Sequence, residues 1–357
     1  RVEFEMEEDK WYLLSSPLQA VVAGDMYSPG NNGGRQETYA FGAITFDPEG
    51  DNKNDRFAPA YYQRKWDHEA ILYFRNEGEE PDPDTHDSYI LADWSTEYND
   101  ASVKYEPGAG FSVHVESLPG SNTGTALVRL PKADASYFYY SDDLKEGEPN
   151  NEQEIAREQN GKLNQPGTTV ILENRSDDNT YFLAGNPFMT YLDMKEFFTV
   201  NSGLKANAYW LLNEKGETVV THASGNGFLS NMASGTDARI EPLKGFFVQK
   251  DVTTKASISP DIKYTEAMMA ADKTGADGIL TKSASQSLPA LYIEAERNGR
   301  KSSLSLIRQE KADMGYREEE DAAVLLNVNH PATPIVYSNA GTQATCINVI
   351  PEMANIP

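Results

Sequence analysis

The sequence predicts an all-β protein: a large, jelly-roll-like β-sandwich with internal duplication, followed by a smaller β-sandwich-like module. Three observations lead there. The 357 residues hold 19 Tyr, 14 Phe and 4 Trp beside 26 Gly and 19 Pro; aromatic residues suit pleated, half-buried surfaces, and Gly and Pro punctuate them with turns. Short runs such as Phe111-Ser-Val-His-Val115 and Leu291, Ile293, Ala295 alternate with period two. Finally, two motifs recur in the same order along the chain. The length suffices for two or three domains, each with a core of its own.

The recurring motifs centre on Tyr181-Phe-Leu-Ala-Gly-Asn-Pro-Phe188. Gly185 and Asn186 tolerate positive φ, and Pro187 fixes its own φ and lacks an N–H. This predicts a buried strand that stops abruptly. Tyr191, Met194 and Phe198 follow at intervals of three and four, which predicts a short amphipathic helix over the end of the sheet. Trp11-Tyr-Leu-Leu-Ser-Ser-Pro-Leu18 aligns with Tyr181–Phe188, and Pro107-Gly-Ala-Gly-Phe-Ser-Val113 aligns with Pro242-Leu-Lys-Gly-Phe-Phe-Val248. Two matches in one order predict repeated units at about 11–115 and 181–250, within a region 1–270.

In chain order, residues 1–22 read as two strands, the Trp11–Leu14 run being the more buried. Strands follow over Tyr39–Phe46, Ser88–Trp94, Ala101–Tyr105 and Phe111–Val115, with Thr125–Leu130 as the hairpin partner of the last. Residues 141–166 lose apolar content and read as a long loop or the join between units. Strands return at Thr168–Glu173 and Ala208–Leu212. A tight turn at Asn213–Gly216 leads to a return strand Thr218–Thr221, polar loop residues at His222–Ser224 and a small-residue loop over Gly225–Gly235. Gly245–Gln249 closes the second unit, and one more strand lies within Ser257–Met269. Residues 271–288 read as a linker. The smaller module spans 289–357, with a hairpin at Arg297-Asn-Gly299, Ser303–Arg308 pairing back, and strands at Ile335–Tyr337 and Ala344–Val349.

The net charge of −24, from 55 acidic and 31 basic residues, repels a phosphate backbone and argues against nucleic acid. No apolar run approaches the eighteen residues of a membrane span. One cysteine, Cys346, precludes an internal disulfide; within an alternating strand it reads as a small core residue. The five histidines show no i, i+4 pair, and no nucleophile elbow, phosphate loop or dinucleotide fingerprint occurs. No catalytic residues are assigned and no cofactor is required. Asp47, Asp51 and Asp55, every fourth residue in an Asp/Asn/Gly loop, are candidate calcium ligands, because calcium takes six to eight oxygens; the spacing is not that of an EF-hand. Tyr61, Tyr62 and Trp66 form one aromatic patch. Tyr137, Tyr139 and Tyr140 form another, serving either a core or a sugar-stacking platform.

At Trp11–Leu18, Gly24–Tyr27, Tyr181–Phe198 and Pro242–Val248 the chain resembles an uncharacterised β-rich module of large secreted Bacteroidetes cell-surface proteins. The carrying elements are Leu183-Ala-Gly-Asn-Pro-Phe188, Asp193-Met-Lys-Glu-Phe-Phe198 and Gly245-Phe-Phe-Val248. The resemblance covers about residues 5–270, and the tail Leu291–Val349 looks like the β-rich region that follows in such proteins. It implies export, to the extracellular space or the bacterial outer-membrane surface, a β-sandwich and a place within a larger polypeptide, and it carries over no catalytic residue. The expectation is therefore a non-catalytic structural or adhesin-type segment, with a carbohydrate-binding module as the alternative and an extracellular glycan or protein as ligand.

Overall fold

The computed structural model describes residues 2–7, 10–19, 21–22, 27–29, 38–40, 61–64, 66–73, 88–94, 104–115, 125–130, 162–171, 181–213, 215–224, 227–233, 238–250, 261–271, 288–326 and 332–352. Over these residues the protein is all-β, with several sheets, one seven-residue α-helix and one short 3-10 turn. The elements that position the site are β1 (Lys10–Ser15), β2 (Gly110–Val115), β3 (Tyr181–Gly185), α1 (Met194–Val200), β4 (Leu204–Leu212), β5 (Thr218–Ser224), β6 (Gly227–Ser230), β7 (Gly245–Lys250), β8 (Ala290–Arg297), β9 (Arg300–Gln309) and β10 (Gln343–Pro351).

An antiparallel sheet of five strands, in the order β3-β7-β4-β5-β6, lies in the middle. Successive side chains of a strand point to opposite faces, and here both faces are apolar. Tyr181, Leu183, Trp210, Leu212, Val220 and Phe247 enter one core, while Phe182, Ala184, Tyr209, Phe246 and Val248 enter the other. Near-continuous apolar runs therefore build a sheet covered on both sides.

One cover is local. The Asp193 carboxylate accepts from the N–H groups of Lys195 (2.9 Å) and Glu196 (3.3 Å), capping α1. The helix buries Met194, Phe197 and Phe198. Phe197 meets Phe246 edge-on at 5.5 Å, and Phe198 lies 6.4 Å from Tyr209. Tyr191, expected on the helical face, is instead in a strand, Tyr191–Asp193, paired with Arg239–Ile240 and Met269–Ala270. The cap at Asp193 sets the helix start one turn later than the apolar spacing predicts.

The other cover comes from far along the chain. Ile307 of β9, Ala322, Ala323, Val324 and Leu325, and Ala344, Cys346, Ile347 and Val349 of β10 share one core with Leu13, Tyr181, Leu183, Trp210 and Phe247. Residues 289–351 thus do not keep a core to themselves. β8 and β9 form the predicted hairpin, paired from Ala290↔Ile307 to Arg297↔Arg300. Asn298 (φ 52°) and Gly299 (φ 74°) supply the two positive φ angles of a type I′ turn. β9 then lies parallel to β10, with Ser305 opposite Ile347.

Four local expectations are corrected. Thr125–Leu130 pairs with Val2–Glu7, whereas β2 pairs with β1 and Tyr61–Arg64; nearness in sequence lost to strands about fifty to more than a hundred residues away. His222 to Ser224 complete β5, and Gly227–Ser230 of the expected loop is β6, paired as His222↔Leu229 and Ala223↔Phe228. Small and polar residues hid that ladder. Ile335 to Tyr337 lie outside regular strand, and pairing with β10 starts at Ser338; Pro334, just before, has no N–H to give a ladder. Residues 272–287 of the expected linker and 141–161 of the expected long loop lie outside the described residues.

Candidate functional site

The two copies of the recurring motifs meet at the edge of the central sheet. β1 pairs antiparallel with β2 as Ser15↔Gly110, Leu14↔Phe111 and Leu13↔Ser112. β3 pairs with β7 as Gly185↔Gly245, Ala184↔Phe246 and Leu183↔Phe247. Residue for residue under the sequence alignment, this is one register. The pairs also join reciprocally: the Ser15 N–H donates to the Leu243 carbonyl (2.8 Å), and the Gly185 N–H donates to the Gly108 carbonyl (2.9 Å). Single bridges Leu14↔Lys244 and Ala109↔Ala184 flank these bonds and are likewise counterparts.

The turn after each strand repeats too. The Leu18 N–H donates to Ser16 Oγ (3.1 Å) and the Phe188 N–H to Asn186 Oδ1 (3.0 Å), each a side-chain turn ahead of a proline. Asn186 is wholly buried and its Nδ2 reaches the carbonyls of Thr190, Ile240 and Glu241. Gly108 (φ 94°) and its counterpart Leu243 (φ 67°) are both left-handed. A Cβ on Gly110 would lie 2.6 Å from the Ala184 carbonyl oxygen, and one on Gly245 2.9 Å from that of Leu14. Glycine at both places lets the backbones touch. The buried Tyr264 hydroxyl donates to the Gly108 carbonyl at 2.8 Å, and burial pushes its pKa up.

A second cluster of polar side chains bridges the shared core. Trp210 Nε1 donates to the Ala323 carbonyl at 3.0 Å. Asn231 Nδ2 donates to the carbonyls of Ser303 (3.0 Å) and Thr218 (3.1 Å), and its Oδ1 accepts from the Val220 N–H at 2.9 Å. His222 Nε2 lies 2.8 Å from the Glu318 carbonyl. A carbonyl only accepts, so Nε2 carries the proton and Nδ1 is a bare lone pair, buried without a hydrogen-bond partner. Burial lowers the His222 pKa to about 4, against the opposing pull of Glu319. Asp321 accepts from the N–H groups of Val349 and Arg317, both at 2.7 Å. Burial still raises its pKa to about 6. The Cys346 sulfur sits 3.3 Å from the Ala323 carbonyl, and burial pushes the thiol up to about 12. Such a thiol is not a ready nucleophile. Chemically, this cluster ties backbone to backbone across the core.

Of the predicted ligand residues, three have a described backbone position. Tyr61 and Tyr62 lie on the strand Tyr61–Arg64, opposite Val115 and His114 of β2. Trp66 lies in a different sheet, opposite Trp94. The side chains of these three, and all of Tyr137, Tyr139, Tyr140, Asp47, Asp51 and Asp55, lie outside the described residues. Among the described residues no three His, Cys, Asp or Glu side chains are grouped as for a metal, and no helix is long and apolar enough to cross a membrane. The sequence reading missed Trp210, Asn231 and Asp321. Trp210 alone gave a signal, since an indole N–H within an apolar run needs a buried acceptor.

No protein-family model, curated protein or solved structure matches this chain.

Proposed function

We propose that this chain is a non-catalytic structural segment, of adhesin type, from a secreted bacterial surface protein. It is a duplicated β-sandwich in which residues 289–352, together with the strands Trp66–Tyr73 and Ser88–Trp94, supply the sheet facing the central one. The observation that carries the reading is the reciprocal junction: one register, one turn and one left-handed residue occur twice, and each copy's backbone bonds to the other's. Duplication and fusion of one strand pair accounts for all of these at once. The buried polar side chains of the second cluster act as cross-links between distant segments, which is the service a scaffold needs. The resemblance at Leu183–Phe188 and Asp193–Phe198 supports the extracellular assignment.

Two experiments test the reading. An antibody raised against the protein is expected to label intact cells of the source bacterium; labelling only after lysis overturns the surface assignment. A glycan array followed by calorimetry on the whole chain, with and without calcium, is expected to show no saturable sugar binding. Saturable binding overturns the structural reading in favour of a carbohydrate-binding module, with Tyr61, Tyr62, Trp66, Tyr137, Tyr139 and Tyr140 as first residues to substitute and Asp47, Asp51 and Asp55 as the calcium ligands.

A further inference from the structure

Among the described residues, the hairpin β8–β9 ends the C-terminal sheet in an open edge strand. Its eight residue pairs run without a bulge, and among the described residues β8 has no second neighbour. Leu291, Tyr292 and Ile293 are 50%, 42% and 38% exposed, so both faces of β8 meet solvent over the same three residues. On the adjoining strand, Leu306 and Leu304, opposite Leu291 and Ile293, are 9% and 2% exposed. The apolar surface is therefore continuous from a buried strand to an open edge. Native edges are usually guarded by charge, proline or a bulge. Here Pro289 precedes the strand and charges begin only at Glu294.

The two faces of β8 differ in chemistry. Leu291, Ile293 and Ala295 share one face; Tyr292, Glu294 and Glu296 share the other. On the polar face Lys301 serves both carboxylates, at 2.7 Å from Glu294 and 3.5 Å from Glu296. Two anions thus share one cation beside an exposed tyrosine ring, in a chain of net charge −24. A further strand added here would lay alternate side chains against Leu291 and Ile293 and the intervening ones against Tyr292, Glu294 and Glu296. Apolar groups fit the first row. Lysine or arginine fits the second, by ion pairing and by cation–π contact with Tyr292.

We propose that β8 is a docking edge for an extended peptide segment of another protein, in which apolar and basic residues alternate. The segment adds to the sheet as its outermost strand: main-chain hydrogen bonds give the affinity, and the two rows of side chains give the orientation. A second copy of this chain is the poorer occupant, because the two copies bring charges of −24 to the same edge. The proposal stands on the geometry of β8 and does not depend on the scaffold reading.

The test uses the whole chain and a labelled synthetic peptide of alternating valine and lysine, followed by fluorescence anisotropy. Saturable binding is expected. It should weaken at least about tenfold when the amides of the peptide that face β8 are N-methylated, and about as much in I293K, a change at an exposed side chain that leaves the core intact. E294Q/E296Q should weaken binding and reduce its salt dependence. No saturable binding overturns the proposal. So does equal binding of the N-methylated peptide or of I293K, which would mean attraction to the acidic surface at large. Light scattering that shows a concentration-dependent dimer broken by I293K would assign the edge to a second copy and overturn the peptide proposal equally.

Discussion

Ser15 and Gly185 occupy counterpart positions in the junction, and exchanging their side chains tests whether the two strand pairs are packed as counterparts. A Cβ placed on Gly185 would lie 2.2 Å from Ser15 Cβ and 2.3 Å from Ser15 Oγ. Relieving that overlap requires the strands to part by about 1 Å, enough to stretch the Gly185–Gly108 bond out of range. G185A should cost about 1–3 kcal/mol in overpacking and about 1 kcal/mol for the strained hydrogen bond. S15G alone should cost about 1 kcal/mol, from the lost Ser15 Oγ–Ala109 bond and the freer unfolded chain. In the double variant S15G/G185A the added methyl enters the space the serine has left. Its loss should fall short of the sum of the single losses by about 1–3 kcal/mol. Urea unfolding of the four proteins, with m-values compared to confirm the same transition, measures the coupling. Simple additivity would refute the packing described for the junction.

Further expectations concern the shared core. W210F removes the indole donor and leaves the buried Ala323 carbonyl with the weakly donating Cys346 thiol as its side-chain partner, so it should lose about 1–3 kcal/mol in the same denaturation assay. His222 has its folded pKa lowered from 6.5 to about 4, so the folded state holds fewer protons and stability falls as pH drops through that window. Measured against H222Q, which stays neutral, the wild type should lose roughly 3 kcal/mol between pH 7 and 4; parallel curves would contradict the buried neutral imidazole. Asp321 acts in the opposite sense. Its pKa is raised from 3.8 to about 6, so its contribution is full below 3.8 and declines as pH rises through 6. The Cys346 thiol, held near 12, should resist a thiol reagent at pH 8 until the protein unfolds; rapid native labelling would show the core open there.

Turns with a single chemical solution were the most legible parts of the fold. Asn298-Gly299 had to supply two positive φ angles, and Asn213–Gly216 closes as read, with Gly216 at φ 72° and the Asn213 side chain accepting from Lys215 and Glu217. The buried character of Tyr181–Phe188 was legible because apolar residues fill both parities of the strand. Pairing over long separations was not, since an alternating strand such as Thr125–Leu130 fits any partner with a free edge. The contacts of Trp210 with Ala323 and of His222 with Glu318 join residues about a hundred apart, and no local pattern announces them. Leu243 at φ 67° shows another limit: its counterpart is Gly108, but the motif Pro-x-x-Gly-Phe-x-Val leaves that position open. The tyrosine patches were chosen on aromatic density, a signal that core strands and sugar platforms share.

The central claim is that the sheet over 181–250 and the strands over 289–351 form one body around one core. Seven large side chains on the near side of that core would be uncovered if the far side came away: Leu13, Tyr181, Leu183, Trp210, Leu212, Val220 and Phe247. At about 1.5–3 kcal/mol each, their exposure rivals the whole net stability of an ordinary domain, about 5–15 kcal/mol. Native-state hydrogen exchange on the whole chain tests this directly. Amides of β4 and β5 and those of β9 and β10 should open together, with one free energy and one denaturant dependence. Exchange of β9 and β10 at a free energy several kcal/mol lower, with β4 and β5 still protected, would contradict it.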